Sequence, residues 1–139
     1  MIAGISHITF LAKSLDRATA FWVNVFDATE VYSSGGETFS LSKEKYFLVG
    51  NVWICVMEGD SLSDRTYNHI AFQTQAEEID GYISRIKKIG AEIKEERSRV
   101  EGEGCSVYFY DFDNHLFELH AGNLGERLSC YLGTNNEAR

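Results

Sequence analysis

The 139-residue chain contains no proline, so no proline-rich linker divides it. Cysteine is sparse: Cys55, Cys105 and Cys130 are widely spaced, odd in number and without a CxxC pair. Such a set suggests neither a disulfide framework nor a zinc ribbon, and a reducing cytoplasm is the expected setting. Long apolar runs are missing. The longest, YFLVG at 46–50 and VWICVM at 52–57, fall far short of the ~20 residues of a membrane span. The N-terminal MIAGISHITF lacks a charged region followed by an apolar stretch and a cleavage site, so no signal peptide is expected. Positive charge is scarce as well. Thirteen Lys and Arg against 21 Asp and Glu give a net charge of −8, which argues against a nucleic-acid partner. The chain is 44% hydrophobic and 13% aromatic. That is enough for a packed core and excludes disorder, and the length suits one ordinary domain.

An internal repeat organises that domain. His7-Ile8-Thr9-Phe10 reappears as His69-Ile70-Ala71-Phe72, and each copy leads through a polar step into a helical pattern. Leu15, Ala18, Phe21, Trp22, Val25 and Phe26 form one stripe; Ile79, Tyr82, Ile83, Ile86 and Ile89 form the other. Asp16 in the first helix, and Glu77 and Glu78 in the second, sit where the helix dipole favours acids, and Gly90 is a natural stop. Strand-like segments follow: 29–33, 38–41, 46–49 and 52–58 in the first half, and 91–94, 106–111 and 115–121 in the second. Asp113-Asn114 reads as a tight hairpin turn. The expected fold class is α+β, with two tandem βαβββ modules forming paired cup-shaped sheets. A short C-terminal helix over 124–132 completes it. The domain spans 1–132, with module one at about 1–60 and module two at about 65–122, and residues 133–139 are expected to form a disordered tail.

Overlaying the final strands aligns Val56-Met57-Glu58-Gly59 with Leu119-His120-Ala121-Gly122, which sets Cys55 opposite Glu118. A pseudo-twofold pairing then predicts that His7, His69, Glu118 and Cys55 gather. Alternation keeps His7 with Thr9 on one face, His69 with Ala71, and Leu116 with Glu118 and His120. Two imidazoles and a carboxylate from three strands suit a divalent metal with positions left open for substrate and water. A lone His at a strand start is usually just a satisfied polar residue; matched positions in a repeat are what make these two a pair. Cys55 reads more readily as an inert buried thiol than as a ligand, His115 lies in a turn, and His120 reads as a supporting or surface group.

Other candidates carry two readings each. Glu44 lies in FSLSKEKYF, by composition a polar hairpin tip and a solvated charge cluster; read functionally, it is a general base taking a proton from water. Arg97, Arg99 and Arg127 are either exposed arginines or forks for an anionic phosphate or phosphonate. Gly102 and Gly104 in VEGEGCS make a flexible loop with free N–H groups, but GK[ST] is missing, so it is no Walker loop. Tyr108 and Tyr110 share a face, and Tyr46 and Trp53 either line a cavity or fill the core.

With HITF (7–10), FSLSKEK (39–45), YNHIAF (67–72), RVEGEG (99–104) and YFYDFDNHLFELHAGNL (108–124), the chain resembles the vicinal oxygen chelate superfamily, the glyoxalase/bleomycin resistance/dioxygenase group. Within it, the resemblance is to the fosfomycin resistance proteins of the FosX type, which hydrate the drug's epoxide, and it covers residues 1 to about 132. The resemblance implies that His7, His69 and Glu118 bind a divalent metal, typically Mn(II). It implies a cytoplasmic homodimer in which one subunit supplies the first His and its partner the other two ligands. Glu44 matches the water-activating acid, and Thr9 the contact to the oxirane oxygen. Tyr108 and Arg127 match phosphonate-binding positions, and Tyr46 and Trp53 pocket-lining ones. The chain departs from the family pattern in lacking a proline between Arg97 and Arg99 and in carrying Cys105 where the pattern has an arginine.

The implied activity is Mn(II)-dependent hydrolysis of the fosfomycin epoxide to a vicinal diol. Water, deprotonated by Glu44, would attack the carbon next to phosphorus from the side opposite the leaving oxygen. Local positive charge from Arg127 and the metal would let an acidic protein bind a dianion. Three alternatives remain on the sequence alone. One is a thiol transferase opening the same epoxide. Another is a metal-free drug-binding member of the superfamily, against which the retained ligand positions speak. The last is an Fe(II) dioxygenase with the same ligand set, which the family resemblance disfavours.

Overall fold

A computed structural model describes residues 1–95 and 104–133. Module one begins with β1 (His7–Ala12), whose alternation buries Phe10 and Ala12 and leaves His7, Thr9 and Leu11 on the other face. Ser14 ends the polar step. Its hydroxyl accepts from the Arg17 N–H and caps α1 (Leu15–Phe26), a bond worth about 1 kcal/mol. Asp16 sits in the first turn, Ala18, Phe21, Trp22, Val25 and Phe26 are buried, and Asp27 stops the helix in a left-handed conformation at φ 54°. β2 (Thr29–Ser33), β3 (Glu44–Val49) and β4 (Val52–Glu58) complete the module.

Module two repeats the plan. β5 (His69–Gln73) leads through a single 3₁₀ turn (Ala76–Glu78) into α2 (Ile79–Lys88). β6 (Ile93–Lys94), β7 (Cys105–Tyr110) and β8 (Leu116–Ala121) follow, and α3 (Leu124–Leu132) closes the described chain. The two sheets have the same order, β1-β4-β3-β2 and β5-β8-β7-β6. In each, the first strand runs parallel to the last and the remaining pairs are antiparallel.

The registers match as the repeat predicts. Thr9 pairs with Cys55 as Ala71 pairs with Glu118, and Tyr46 pairs with Cys55 as Tyr108 pairs with Glu118. Cys55 therefore occupies in module one the place of Glu118 in module two.

Two expected strands differ. Residues 38–41 form no strand: Phe39 and Leu41 stand 80% and 96% exposed, and β2 pairs directly with β3. β3 begins at Glu44, because the Lys43 carbonyl and the Glu44 N–H are already tied to Glu58 and Ser34. Expected strand 91–94 shrinks to Ile93–Lys94. Gly90, at φ 77°, turns the chain, and the Ala91 N–H is spent on the Ile86 carbonyl at the end of α2.

One core serves both modules. Phe10 of β1, Phe21, Trp22 and Phe26 of α1, and Phe109 and Phe117 of β7 and β8 meet in one aromatic cluster. Phe117 is fully buried and touches five of these rings, at 5.3–6.0 Å between centroids. The connection between modules is stapled to the β7–β8 turn. Asp113 accepts from the Ser61 hydroxyl and the Lys13 N–H, and Arg65 lies 3.9 Å over the Tyr110 ring. Because each sheet turns its Phe- and Val-bearing face to the common core, the opposite faces, with His7 and Thr9 on one and His69 and Ala71 on the other, look away from it.

Candidate metal centre

Module two brings together two side chains of the kind that hold a divalent metal. His69, at the start of β5, sends Nδ1 to the Tyr67 carbonyl at 2.7 Å and Nε2 to Glu118 Oε1 at 3.1 Å. A carbonyl oxygen can only accept, so Nδ1 carries a proton, and in the neutral ring Nε2 is then the lone-pair nitrogen. That nitrogen and a carboxylate oxygen stand side by side, as two ligands of one cation do. A backbone carbonyl holding the far ring nitrogen is also the usual support of a metal-bound His. The donor set therefore fits a divalent ion of the Mn(II) kind.

Around this pair lies a cleft of about 360 Å³ bounded by His69, Glu118, His120, Leu124 and Arg127. Glu118 is only 4% exposed. Ser106 donates to its Oε2 at 2.5 Å, and His120 Nδ1 lies 2.6 Å from Ser106 Oγ and 3.3 Å from the same carboxylate oxygen. Arg127, brought in by α3, donates from Nη2 to His120 Nε2 at 3.2 Å. The Asn123 side chain caps α3 by accepting from Glu126 N–H, which sets where Arg127 stands. Tyr108 is buried on the same face, its hydroxyl receiving the Tyr67 O–H at 3.0 Å, with its ring 5.3 Å from His69. Tyr110 joins it in a small apolar cluster with Leu116.

Module one holds the complementary set. His7, Thr9, Glu44, Tyr46, Trp53 and Cys55 all project from the face of the first sheet opposite the core. The His7 ring packs on Trp53 at 4.3 Å, and Trp53 on Tyr46 at 5.1 Å. The indole Nε1 of Trp53 is buried and finds no hydrogen-bond partner among the described residues. Glu44 is not a solvated tip residue: it is 5% exposed. Tyr46 O–H donates to its Oε1 at 2.9 Å and the Cys55 thiol to its Oε2 at 3.5 Å. The hydrogen bond to Glu44, lost on ionisation, pushes the Tyr46 hydroxyl up to about 12. Burial, then the same carboxylate, raises the Cys55 thiol to about 11. Each carboxylate oxygen keeps a second lone pair, so Glu44 can still accept a proton from water.

The two sets are built alike. Each pairs one carboxylate with a donor diagonally across two antiparallel strands, Cys55 with Glu44 and Ser106 with Glu118. The structure brings His69 to Glu118, and Thr9, Glu44, Tyr46, Trp53 and Cys55 to the face that bears His7. Among the described residues of one chain, no three His, Cys, Asp or Glu side chains gather to hold a metal, so His7 does not join the other two ligands within a single chain. His115 is held in the β7–β8 turn by Asp111 at 2.8 Å. Arg97, Arg99 and Gly102, like residues 134–139 of the tail expected over 133–139, lie outside the described residues. Sequence reasoning singled out neither Ser106 nor the ordering of His120. The signal was present in alternation, since Ser106 lies two residues before Tyr108 on β7, opposite His120.

Known proteins resemble this chain along nearly its whole length. The model of the Glyoxalase/Bleomycin resistance protein/Dioxygenase superfamily matches residues 4–119. The chain is 68% identical over 131 residues to the fosfomycin resistance protein FosX of Listeria innocua, covering 94% of this chain and 98% of that one. It is 66% identical, with the same coverage, to FosX of Listeria monocytogenes. A crystal structure of a variant of the Listeria monocytogenes protein, complexed with Mn(II) and 1S,2S-dihydroxypropylphosphonic acid, superposes with a TM-score of 0.87. It is 62% identical and covers 94% of this chain and 99% of that one.

Proposed function

The chain belongs to the Glyoxalase/Bleomycin resistance protein/Dioxygenase superfamily and, within it, to the fosfomycin resistance proteins, and from that premise we propose that it is a Mn(II)-dependent epoxide hydrolase that inactivates fosfomycin by adding water to its oxirane. One observation carries the reading: Glu44 is buried, held by two donors, and set on the same sheet face as His7 and Thr9. A buried base on this face suits the deprotonation of water, whose pKa lies far above that of a thiol. The phosphonate in the crystal of the Listeria monocytogenes relative is a vicinal diol, which is what water addition to fosfomycin yields.

His7, His69 and Glu118 are the residues that would hold the metal. Bound there, Mn(II) supplies Lewis-acid stabilisation of the negative charge that develops on the oxirane oxygen. Arg127 and the Tyr108 hydroxyl bind the phosphonate, and Tyr46 and Trp53 wall the pocket. Thr9 contacts the oxirane oxygen. Glu44 takes a proton from water as the water oxygen bonds to the carbon bearing phosphorus, opposite the breaking C–O bond. The released oxygen takes up a proton from solvent and Glu44 gives back the one it accepted, so the elements of one water are added and nothing leaves. Tyr46 and Cys55 keep Glu44 aimed at the water and contribute no proton to it.

The working unit is a homodimer whose two sites are shared, with the first-sheet face of one subunit meeting the second-sheet face of its partner. Supporting this, both faces turn away from the core of their own chain. Leu11 and Leu48 on the first and Leu124 and Leu128 beside the second stand exposed. We place the protein in the cytoplasm, the reducing setting in which three widely spaced cysteines without a CxxC pair are ordinary; no described helix is long and apolar enough to cross a membrane.

The test is phosphorus NMR of fosfomycin with enzyme and Mn(II) and no thiol. The expected result is conversion to the diol. Glu44→Gln is expected to lower kcat by about 10²–10⁴-fold, the usual contribution of a general base, with Mn(II) affinity unchanged. Conversion that requires added glutathione, or a Glu44→Gln enzyme at parental rate, sinks the assignment.

A further inference from the structure

We propose that His120 is a positioning residue, passing the direction of hydrogen bonding from Arg127 through Ser106 to the carboxylate of Glu118 and so presenting one Glu118 oxygen to the metal. The inference rests on the metal-dependent reading above and deepens it.

Chemistry fixes each link. A guanidinium has only N–H donors, so His120 Nε2, 3.2 Å from Arg127 Nη2, is the acceptor and the ring proton sits on Nδ1. Nδ1–H then donates to Ser106 Oγ at 2.6 Å. Ser106, having accepted, turns its own proton to Glu118 Oε2 at 2.5 Å. Donation runs one way, from a cation at one end to an anion at the other, and no member can be reversed without setting two donors or two acceptors face to face. The result bears on coordination. Oε2 receives the Ser106 hydroxyl and lies 3.3 Å from His120 Nδ1, so it is turned toward these donors, while Oε1, 3.1 Å from His69 Nε2, is the oxygen aimed where the metal would sit. Glu118 would then bind it through one oxygen.

The repeat supplies an internal comparison. Ser106 pairs across the strands with His120, and the matching pair in module one is Glu44 with Met57. Methionine cannot accept from one side and donate to the other. In module one the acid is held directly by Tyr46 and Cys55 and faces water, not a metal. The relay occurs only in the module whose carboxylate ligates.

The experiment measures Mn(II) affinity by electron paramagnetic resonance of free Mn(II), alongside kcat and KM for fosfomycin. His120→Phe keeps the ring shape and removes both nitrogens; its Mn(II) affinity is expected to fall about 10–100-fold, as for lost partners of metal ligands. His120→Asn keeps a donor at the δ position but, being shorter, removes the ε-position acceptor that meets Arg127. It is expected to retain near-parental Mn(II) affinity and kcat while KM for fosfomycin rises. Ser106→Ala, which breaks the chain one link on without touching the ring, should match the His120→Phe loss, and the double variant should lose no more than either alone. His120→Phe or Ser106→Ala binding Mn(II) as the parent does overturns the proposal. So does a loss in His120→Asn equal to that in His120→Phe, which would mark a packing role. If the parent itself neither binds Mn(II) nor hydrates fosfomycin, the functional reading fails; if the parent does both and the variants match it, only the role of His120 fails.

Discussion

Glu44 shows how much chemistry depends on one side chain's surroundings. Its neighbours Ser42, Lys43 and Lys45 are what a solvated tip would carry, yet the carboxylate is buried between a phenol and a thiol. The thiol has a measurable consequence. In the folded protein Cys55 ionises near pH 11, against 9.0 for an ordinary cysteine. Between those values the unfolded chain has released a proton that the folded chain keeps. The unfolded state therefore binds fewer protons, and stability falls as pH rises. The contribution is fully present below pH 9 and is gone once pH passes through about 11; Tyr46 extends the window upward to about 12. Urea unfolding across this range is expected to show a declining stability, with a shallower decline in Cys55→Ala. Equal slopes in parent and variant would mean that Cys55 does not titrate in this way.

At the scale of elements, the site is built from strand ends and their neighbours. Gly104 enters β7 at φ 96°, and a side chain there would press into the Ala121 carbonyl at the end of β8. Gly104→Ala is expected to cost at least the ~1–3 kcal/mol of a residue held in a sparsely populated backbone region. It should also weaken Mn(II) binding, because Ser106 lies two residues on. Gly36 has an ordinary backbone and nothing within 4 Å of an added methyl, so Gly36→Ala should leave both unchanged. In the core, Phe117→Ala removes the ring at the centre of the aromatic cluster. The expected loss is about 3–5 kcal/mol, read by denaturant unfolding, since helices and sheets on every side would have to collapse to fill the space.

At the scale of the whole molecule, the proposed function divides each metal site between two chains. His7→Ala and Glu118→Ala should each abolish hydration alone. Mixed after unfolding and refolding, they should recover about a quarter of parental activity, because half the dimers are mixed and each mixed dimer holds one intact and one doubly altered site. No recovery on mixing would argue that each chain builds its own site. Mn(II) should also raise the melting temperature. Binding only the folded protein at one hundred times its dissociation constant adds about 2.7 kcal/mol, and chelation should reverse the gain.

Much of this was legible beforehand. The stripes of α1 and α2, the bounds of β2, β4 and α3, and the equivalence of Cys55 with Glu118 follow from hydrophobic period and repeat alone. Those features are local or periodic, and periodicity is written directly in the order of residues. The absent strand over 38–41 was not legible, because Phe39 and Leu41 alternate like a strand but find no edge to pair with. Nor was the burial of Glu44, nor the order Arg127, His120, Ser106, Glu118. Alternation decided which residues share a face. Which oxygen meets which hydrogen was decided only by cross-strand register and the docking of α3, where groups apart in the chain come within hydrogen-bond reach and donors must face acceptors.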